Sequence, residues 1–324
     1  MSRARLLSLL CAFCLALASP AGADQLRLVF VGDVMLDDGP GRLIGRGGDP
    51  LALFAAQLDD ADYRIGNLEC AIASQGQALE SKIYSFRADP RVTPVLKGRF
   101  DALALANNHS GDYGQGAFLE TLDHLASQEI VAFGGGRNLA QAHRPLWIER
   151  RGLRIAVLAY NEFKPRSFEA GAEWPGIAWS EDSQVVADIR AARAAGADLV
   201  IPFMHWGWER ETQPSERQRQ LARTMIDAGA DVVVGGHPHV TQGAEYYRGK
   251  LIVYSLGNFI FDGFNDIATR TGWLLRLTLD QRGMVAWETV AAYVDDDGSP
   301  QPQAGASTPC GRAGDRVVRE CINR

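Results

Sequence analysis

Short apolar runs that each break off at a polar residue dominate the sequence. They recur at 26–32, 63–68, 101–106, 154–160, 198–204, 231–235 and 251–255. Runs of that length, stopped by Gly, Asn, Asp or His rather than continued, read as buried strands. Between them, 50–58, 117–127, 180–195 and 214–228 carry apolar residues at helical spacing. Strands and helices in alternation make an α/β fold with buried sheets. Past Gly249 the helices stop, and 251–255, 273–279 and 284–294 read as consecutive strands with short turns. That pattern predicts a second sheet packed on the first. No linker or repeat divides the body, so 24–294 reads as one domain. The Pro/Gly/Ser-rich tail at 295–324 is expected to be loosely attached.

The first residues speak to location rather than fold. Arg3 and Arg5 precede an uncharged apolar run at 6–17, and Ala21-Gly22-Ala23 offers small residues where a signal peptidase cuts. The run is short for a bilayer span. We therefore expect 1–23 to be a cleaved secretory signal, with retention as an N-terminal anchor as the alternative, and the mature chain to reside in the periplasm or cell envelope. A formal net charge of −6 argues against a protein that coats nucleic acid. An exported chain can keep disulfides. Cys310 and Cys321 are expected to pair, closing a loop that stabilises its segment by roughly 3 kcal/mol at most. Cys70 is then left as a buried, inert thiol.

The polar residues that stop the strands are of one chemical kind. Asp33 follows the first run. Asn67 and Glu69 end the second, and Asn107, Asn108 and His109 the third. His205 ends the run at 198–204, and His237 and His239 follow the run at 231–235. Ligands of open α/β sheets bind outside the carboxyl ends of the strands. Taken singly, these residues are turn formers, caps or surface carboxylates. Together they bring carboxylates, an amide oxygen and imidazoles to one edge. That donor set suits a divalent metal such as Mn, Fe or Zn, as one ion or two. Two ions bridged by a carboxylate would activate water for hydrolysis, and a His just outside the ligand set would protonate the leaving group. Trp206 and Trp208, beside His205, are candidates to wall a substrate groove.

Six blocks carry a resemblance. They are Val31-Gly-Asp-Val-Met-Leu36, Gly66-Asn-Leu-Glu69, Ala106-Asn-Asn-His-Ser-Gly-Asp112, His205-Trp-Gly207, Gly235-Gly-His-Pro-His239 and Tyr254-Ser-Leu-Gly-Asn-Phe259. In this order they resemble the signature blocks of the CapA family, bacterial capsule synthesis proteins associated with poly-γ-glutamate synthesis and export. That family is in turn similar to calcineurin-like metallophosphoesterases. The resemblance implies a four-layer α/β/β/α sandwich of the metallophosphatase kind. It also implies Asp33, Glu69, Asn108, His205, His237 and His239 as metal ligands, with Glu69 at the bridging position and His109 as leaving-group acid. Asn258 lies in the last block and is expected to touch the site. Met35 stands where the phosphoesterase pattern has a further His ligand. The partners implied are an anionic polymer such as poly-γ-glutamate and a membrane synthase or export complex. Three readings follow: a metal-dependent hydrolase, a non-catalytic polymer-binding export factor, and an exported metallophosphoesterase.

Overall fold

A computed structural model describes residues 25–80 and 82–323. The expected signal at 1–23 lies outside them. Two sheets pack face to face, with helices on each outer side. The first sheet runs, edge to edge, Arg319–Ile322, Ser307–Arg312, Gly283–Val294, Thr271–Asp280, Leu26–Val34, Tyr63–Leu68, Ala102–Ala104 and Val131–Phe133. Asn258–Ile260 pairs with Leu26–Val34, and Pro300–Pro302 with Gly283–Val294. The second sheet runs Thr241–Tyr247, Lys250–Leu256, Val232–Gly236, Leu199–His205, Leu153–Asn161 and Leu146–Arg150. Among the described residues no helix is long and apolar enough to cross a membrane.

Alternation along the strands produces the layers. Successive side chains point to opposite faces. Leu28 and Phe30 enter the cluster between the sheets, whereas Val29 and Val31 enter the cluster under the helices of the first sheet. Ile155 and Val157 face inward in the same way, and Ala156 and Leu158 face the helices Asp182–Ala194 and Glu216–Ala228. Phe30 and Phe203 meet across the inner layer, edge to face, with ring centroids 5.4 Å apart. Three buried clusters separate four layers, which is the α/β/β/α sandwich implied by the resemblance.

Two expectations need correction. The late strands do not build a second sheet of their own. Thr271–Asp280 and Gly283–Val294 return to the first sheet beside the N-terminal strand, while Lys250–Leu256 belongs to the second. The second sheet comes from the middle of the chain. Nor is the segment after Asp295 a loose tail. Its strands extend the first sheet edge, with Thr308 and Cys310 buried. Cys310 is bonded to Cys321, and Cys70 is a free buried thiol.

One irregularity aims the site. Leu26–Val34 pairs in parallel with Tyr63–Leu68, but between Phe30 and Asp33 the register slips, with Val31 and Gly32 on one strand facing Gly66 alone on the other. A β-bulge of this kind re-aims a side chain. In unbroken alternation Asp33 would share the outer face of Val29 and Val31. Past the bulge it meets the second sheet instead, where the His237 backbone N–H donates to its Oδ2 at 3.3 Å.

Candidate metal centre

The carboxyl ends of strands from both sheets meet here, and nearly every residue singled out from the sequence arrives. Asp33, Glu69, His205, His237 and His239 are buried, each no more than 3 % exposed. Two groups of three could each hold one ion, with their ligand atoms within 4.8 Å of one another: Asp33, Glu69 and His239, and Glu69, His205 and His237. Glu69 belongs to both. Asn108 joins the second group, its Oδ1 lying 2.6 Å from His205 Nε2. His237 Nδ1 lies 3.0 Å from that same Nε2, and Glu69 Oε1 3.5 Å from it. His239 Nδ1 lies 3.4 Å from Asp33 Oδ2.

The hydrogen-bond accounting favours a cation. Buried polar atoms in proteins nearly always find a partner, and a buried unpaired charge is costly. Here both oxygens of Glu69 and Nε2 of His237 are buried without a hydrogen bond among the described residues. Burial, reinforced by the neighbouring charge of Asp33, pushes Glu69 well above the usual carboxylate range. Burial and the surrounding imidazoles hold His205 and His237 well below the usual imidazole range. Neutral imidazoles are metal ligands, and a divalent ion is the partner that would satisfy Glu69. The residues present therefore fit the group.

Local structure enforces the arrangement. His237 and His239 both adopt positive φ, 95° and 56°, either side of Pro238. Such backbone costs of the order of 1–3 kcal/mol per residue and persists where its surroundings over-determine it. The Pro238 carbonyl is held by the Arg210 N–H at 2.7 Å. Gly236 lets the sheets close: a Cβ there would sit 2.9 Å from Asp33 Oδ1. Asn258 Oδ1 lies 2.9 Å from His239 Nδ1 and accepts a hydrogen bond from it, which makes Asn258 an orienting neighbour of a candidate ligand.

Several contributors went unassigned in the sequence. Asn67 Nδ2 donates to Asp33 Oδ1 at 2.9 Å and lies 3.3 Å from His205 Nδ1. Asn107 in turn holds Asn67 Oδ1 at 3.0 Å and caps the N–H of His109. Asp112 lies 2.7 Å from His109 Nδ1, so that Nε2 faces the cluster, 3.9 Å from Glu69 Oε1. Lys82 sits on Asp112 and donates to the Asn108 carbonyl at 2.7 Å. The Asp112 signal was present in the sequence: a carboxylate three residues after a His, in a turn tight enough to fold back.

Trp206 is corrected. It is fully buried among the helix-side residues of the second sheet and donates to the Tyr254 carbonyl at 2.9 Å, so it walls no groove. Alternation explains this, because a side chain next to the inward His205 points outward. Trp208 is 65 % exposed and lines a groove of about 870 Å³ beside the cluster. Met35 packs in the apolar cluster on the outer face of the first sheet, 1 % exposed.

Comparison with known proteins follows the same outline. The bacterial capsule synthesis protein PGA_cap family profile matches residues 27–263. The PGA biosynthesis protein CapA of Bacillus subtilis is 34 % identical over 289 residues, 86 % of this chain and 74 % of that one. The capsule biosynthesis protein CapA of Bacillus anthracis is 31 % identical over 297 residues, 87 % and 71 % of the two chains. Among solved structures, a hypothetical protein from Thermus thermophilus superposes with a TM-score of 0.52 at 18 % identity, over 83 % of this chain and 99 % of that one. The NAD nucleotidase of Haemophilus influenzae superposes at 0.51 and 11 % identity, over 87 % and 60 %. These two likenesses are of fold.

Proposed function

Since the chain belongs to the bacterial capsule synthesis protein PGA_cap family, we propose that it is an exported capsule biosynthesis protein whose strand-end cluster is a divalent-metal hydrolase site. One observation carries the reading: Glu69 is common to two ligand groups, fully buried, with neither oxygen hydrogen-bonded. Such a carboxyl must take up a proton or stay charged and unpaired, and a cation held by either group would relieve it.

Asp33, Glu69 and His239 would hold one ion; Glu69, His205, His237 and Asn108 would hold the other. Such ions supply Lewis acidity and make water acidic enough to deliver hydroxide at neutral pH. The protein's own residues do the rest. Asn67 fixes Asp33 and Asn258 fixes His239, so that both ligands are set before substrate arrives. Asp112 accepts from Nδ1 of His109 and, against the burial that lowers this imidazole, favours the doubly protonated ring whose Nε2 gives its proton to the leaving atom. Burial of the ligands excludes bulk water and strengthens every charge interaction inside. The substrate class in this reading is an anionic capsule polymer such as poly-γ-glutamate, the bond a γ-glutamyl amide or other polymer link, and the place of action the periplasm or cell envelope beside a membrane synthase or export complex.

Met35 supports a second reading, a non-catalytic polymer-binding export factor, because without a His at that position an ion in the first group would be retained more weakly. Metal analysis of the mature chain (residue 24 onward), purified without chelators, separates the two. One or two equivalents of Mn, Fe or Zn, lost in a folded His237→Ala variant, is expected. Absence of metal, even after incubation with each ion, would leave polymer binding as the function.

A further inference from the structure

Beside the cluster lies the groove that Trp208 lines, and the two are joined by one ring. Phe163 lines the groove and packs on His237, ring centroids 4.0 Å apart; on its other side it meets Trp208 edge to face at 6.0 Å. An apolar track therefore leads from the candidate metal ligands into a space of about 870 Å³, large enough for several residues of an extended chain.

The groove's charges are almost all committed. Arg217 is held by Glu162 and Asp182, and Arg166 by Glu169 and Glu181. Lys164 differs: it is exposed, and among the described residues it forms no salt bridge. Ser180 adds a second sign of an absent partner. It lines the groove, is only 2 % exposed, and its hydroxyl has no hydrogen bond.

We propose that this groove is the subsite for an extended, carboxylate-bearing chain, with Lys164 holding a carboxylate and Trp208 and Phe163 covering its methylenes. The inference rests on the polymer-directed reading above and adds where the chain lies. An ammonium meets one carboxylate as a point charge. Recognition of a phosphate favours guanidinium forks, and here both guanidinium groups are already engaged by carboxylates. Flat rings beside the cation suit the aliphatic stem between a carboxylate and a main-chain amide, and Ser180 offers that amide a hydroxyl.

The test is equilibrium binding of a dye-labelled γ-linked glutamate hexamer to the mature chain, as purified and after chelation. Wild type is compared with Lys164→Gln, Trp208→Ala and, as a remote control, Lys97→Gln. Both groove side chains are exposed, so their loss leaves folding intact, and a melting curve checks this. Lys164→Gln and Trp208→Ala are each expected to weaken binding about threefold to tenfold, in both metal states, with metal content unchanged. Lys97→Gln should bind as wild type does, and AMP should compete poorly. Equal binding by all four proteins overturns the proposal, as does no binding by wild type in either state, or displacement of the hexamer by AMP at matched concentration. The outcomes separate from those of the metal reading. Hexamer binding lost in Lys164→Gln upholds the groove even in a protein without metal. A full metal complement with unaltered hexamer binding removes the groove and leaves the metal centre standing.

Discussion

Glu69→Gln should change the sign of its effect with the metal. The variant is nearly isosteric and removes a buried acid that the protein meets only with imidazole nitrogens 3.5 Å or more away. In chelated protein the wild-type carboxylate is fully buried, its oxygens unbonded, and Asp33 is within reach of the same ligand group. An unsatisfied buried polar or charged group costs about 1–3 kcal/mol or more. Gln removes the cost of protonating that buried acid or of leaving it charged, and its amide can donate to Asp33. The chelated variant should therefore be more stable than chelated wild type by about 1–3 kcal/mol. At about 2 °C per kcal/mol, the low end for domains of this size, that is a rise in Tm of roughly 2–6 °C. Metal reverses the order. An ion at a thousand times its Kd stabilises wild type by about 4.1 kcal/mol, roughly 8 °C on the same scale. The variant, lacking the ligand common to both groups, should keep little of that shift.

Melting curves of the two proteins, each with EDTA and with excess MnCl₂, give four numbers whose ranking is expected to cross. A chelated variant that melts several degrees below chelated wild type would mean that protein neighbours already compensate the Glu69 charge. The orphaned oxygens would then say nothing about a cation. A full Mn shift in the variant would remove Glu69 from the ligand set.

The other predictions address separate links in the chain of inference. His109→Ala should keep its metal and lose turnover on the polymer; if metal is lost as well, His109 is a ligand rather than an acid. Asp112→Asn should also keep metal while lowering turnover at least tenfold, since the imidazole loses its orienting carboxylate, and unchanged turnover would make Asp112 structural. Thiol counting on denatured, unreduced mature protein should find Cys70 alone, and three thiols would refute the Cys310–Cys321 bond. In native protein Cys70 should resist alkylation even at pH 9, because burial pushes its thiol up to about 12; rapid labelling would contradict its packing. Met35→His should lower stability by about 2–3 kcal/mol without raising metal occupancy, because it places a polar ring in an apolar cluster. Tighter metal binding in that variant would show that position 35 can reach the site.

What the sequence made legible follows from range. Strand ends were readable because a buried run and the residue that stops it are adjacent in the chain, so Asp33, Glu69, Asn108, His205, His237 and His239 could be named and assigned to one edge. Sheet membership was not, because strands of the first sheet come from both ends of the chain, and pairing such as Leu26 with Leu279 depends on contacts no local window contains. The bulge before Asp33 was equally hidden: the slip exists only relative to Tyr63–Leu68. The tail at 295–324 misled for a related reason. Its Pro, Gly and Ser residues mimic a linker, yet an open sheet edge and the Cys310–Cys321 bond recruit it. Trp206 was misread although alternation from His205 was enough to turn it outward.

Met35 shows how a departure from a motif and a complete candidate ligand group can coexist. In an uninterrupted strand Asp33 and Met35 would share a face, and a His at 35 would stand beside Asp33. Here regular pairing ends at Val34 after a second slip between Asp33 and Val34, and the Met35 side chain turns to the outer apolar cluster, with its sulfur 3.1 Å from the Asp37 N–H. The first ligand group therefore does not have a missing corner that Met35 fills badly. It is a different group, in which Asp33, Glu69 and His239 are fixed by Asn67 and Asn258 without help from position 35. Three protein ligands leave coordination positions open for water or substrate, the arrangement that distinguishes a catalytic ion from a structural one. Fewer ligands also mean weaker retention. The second group, with His205, His237, Asn108 and the same Glu69, is then the one expected to hold its ion through purification, and the first the one that empties on dilution.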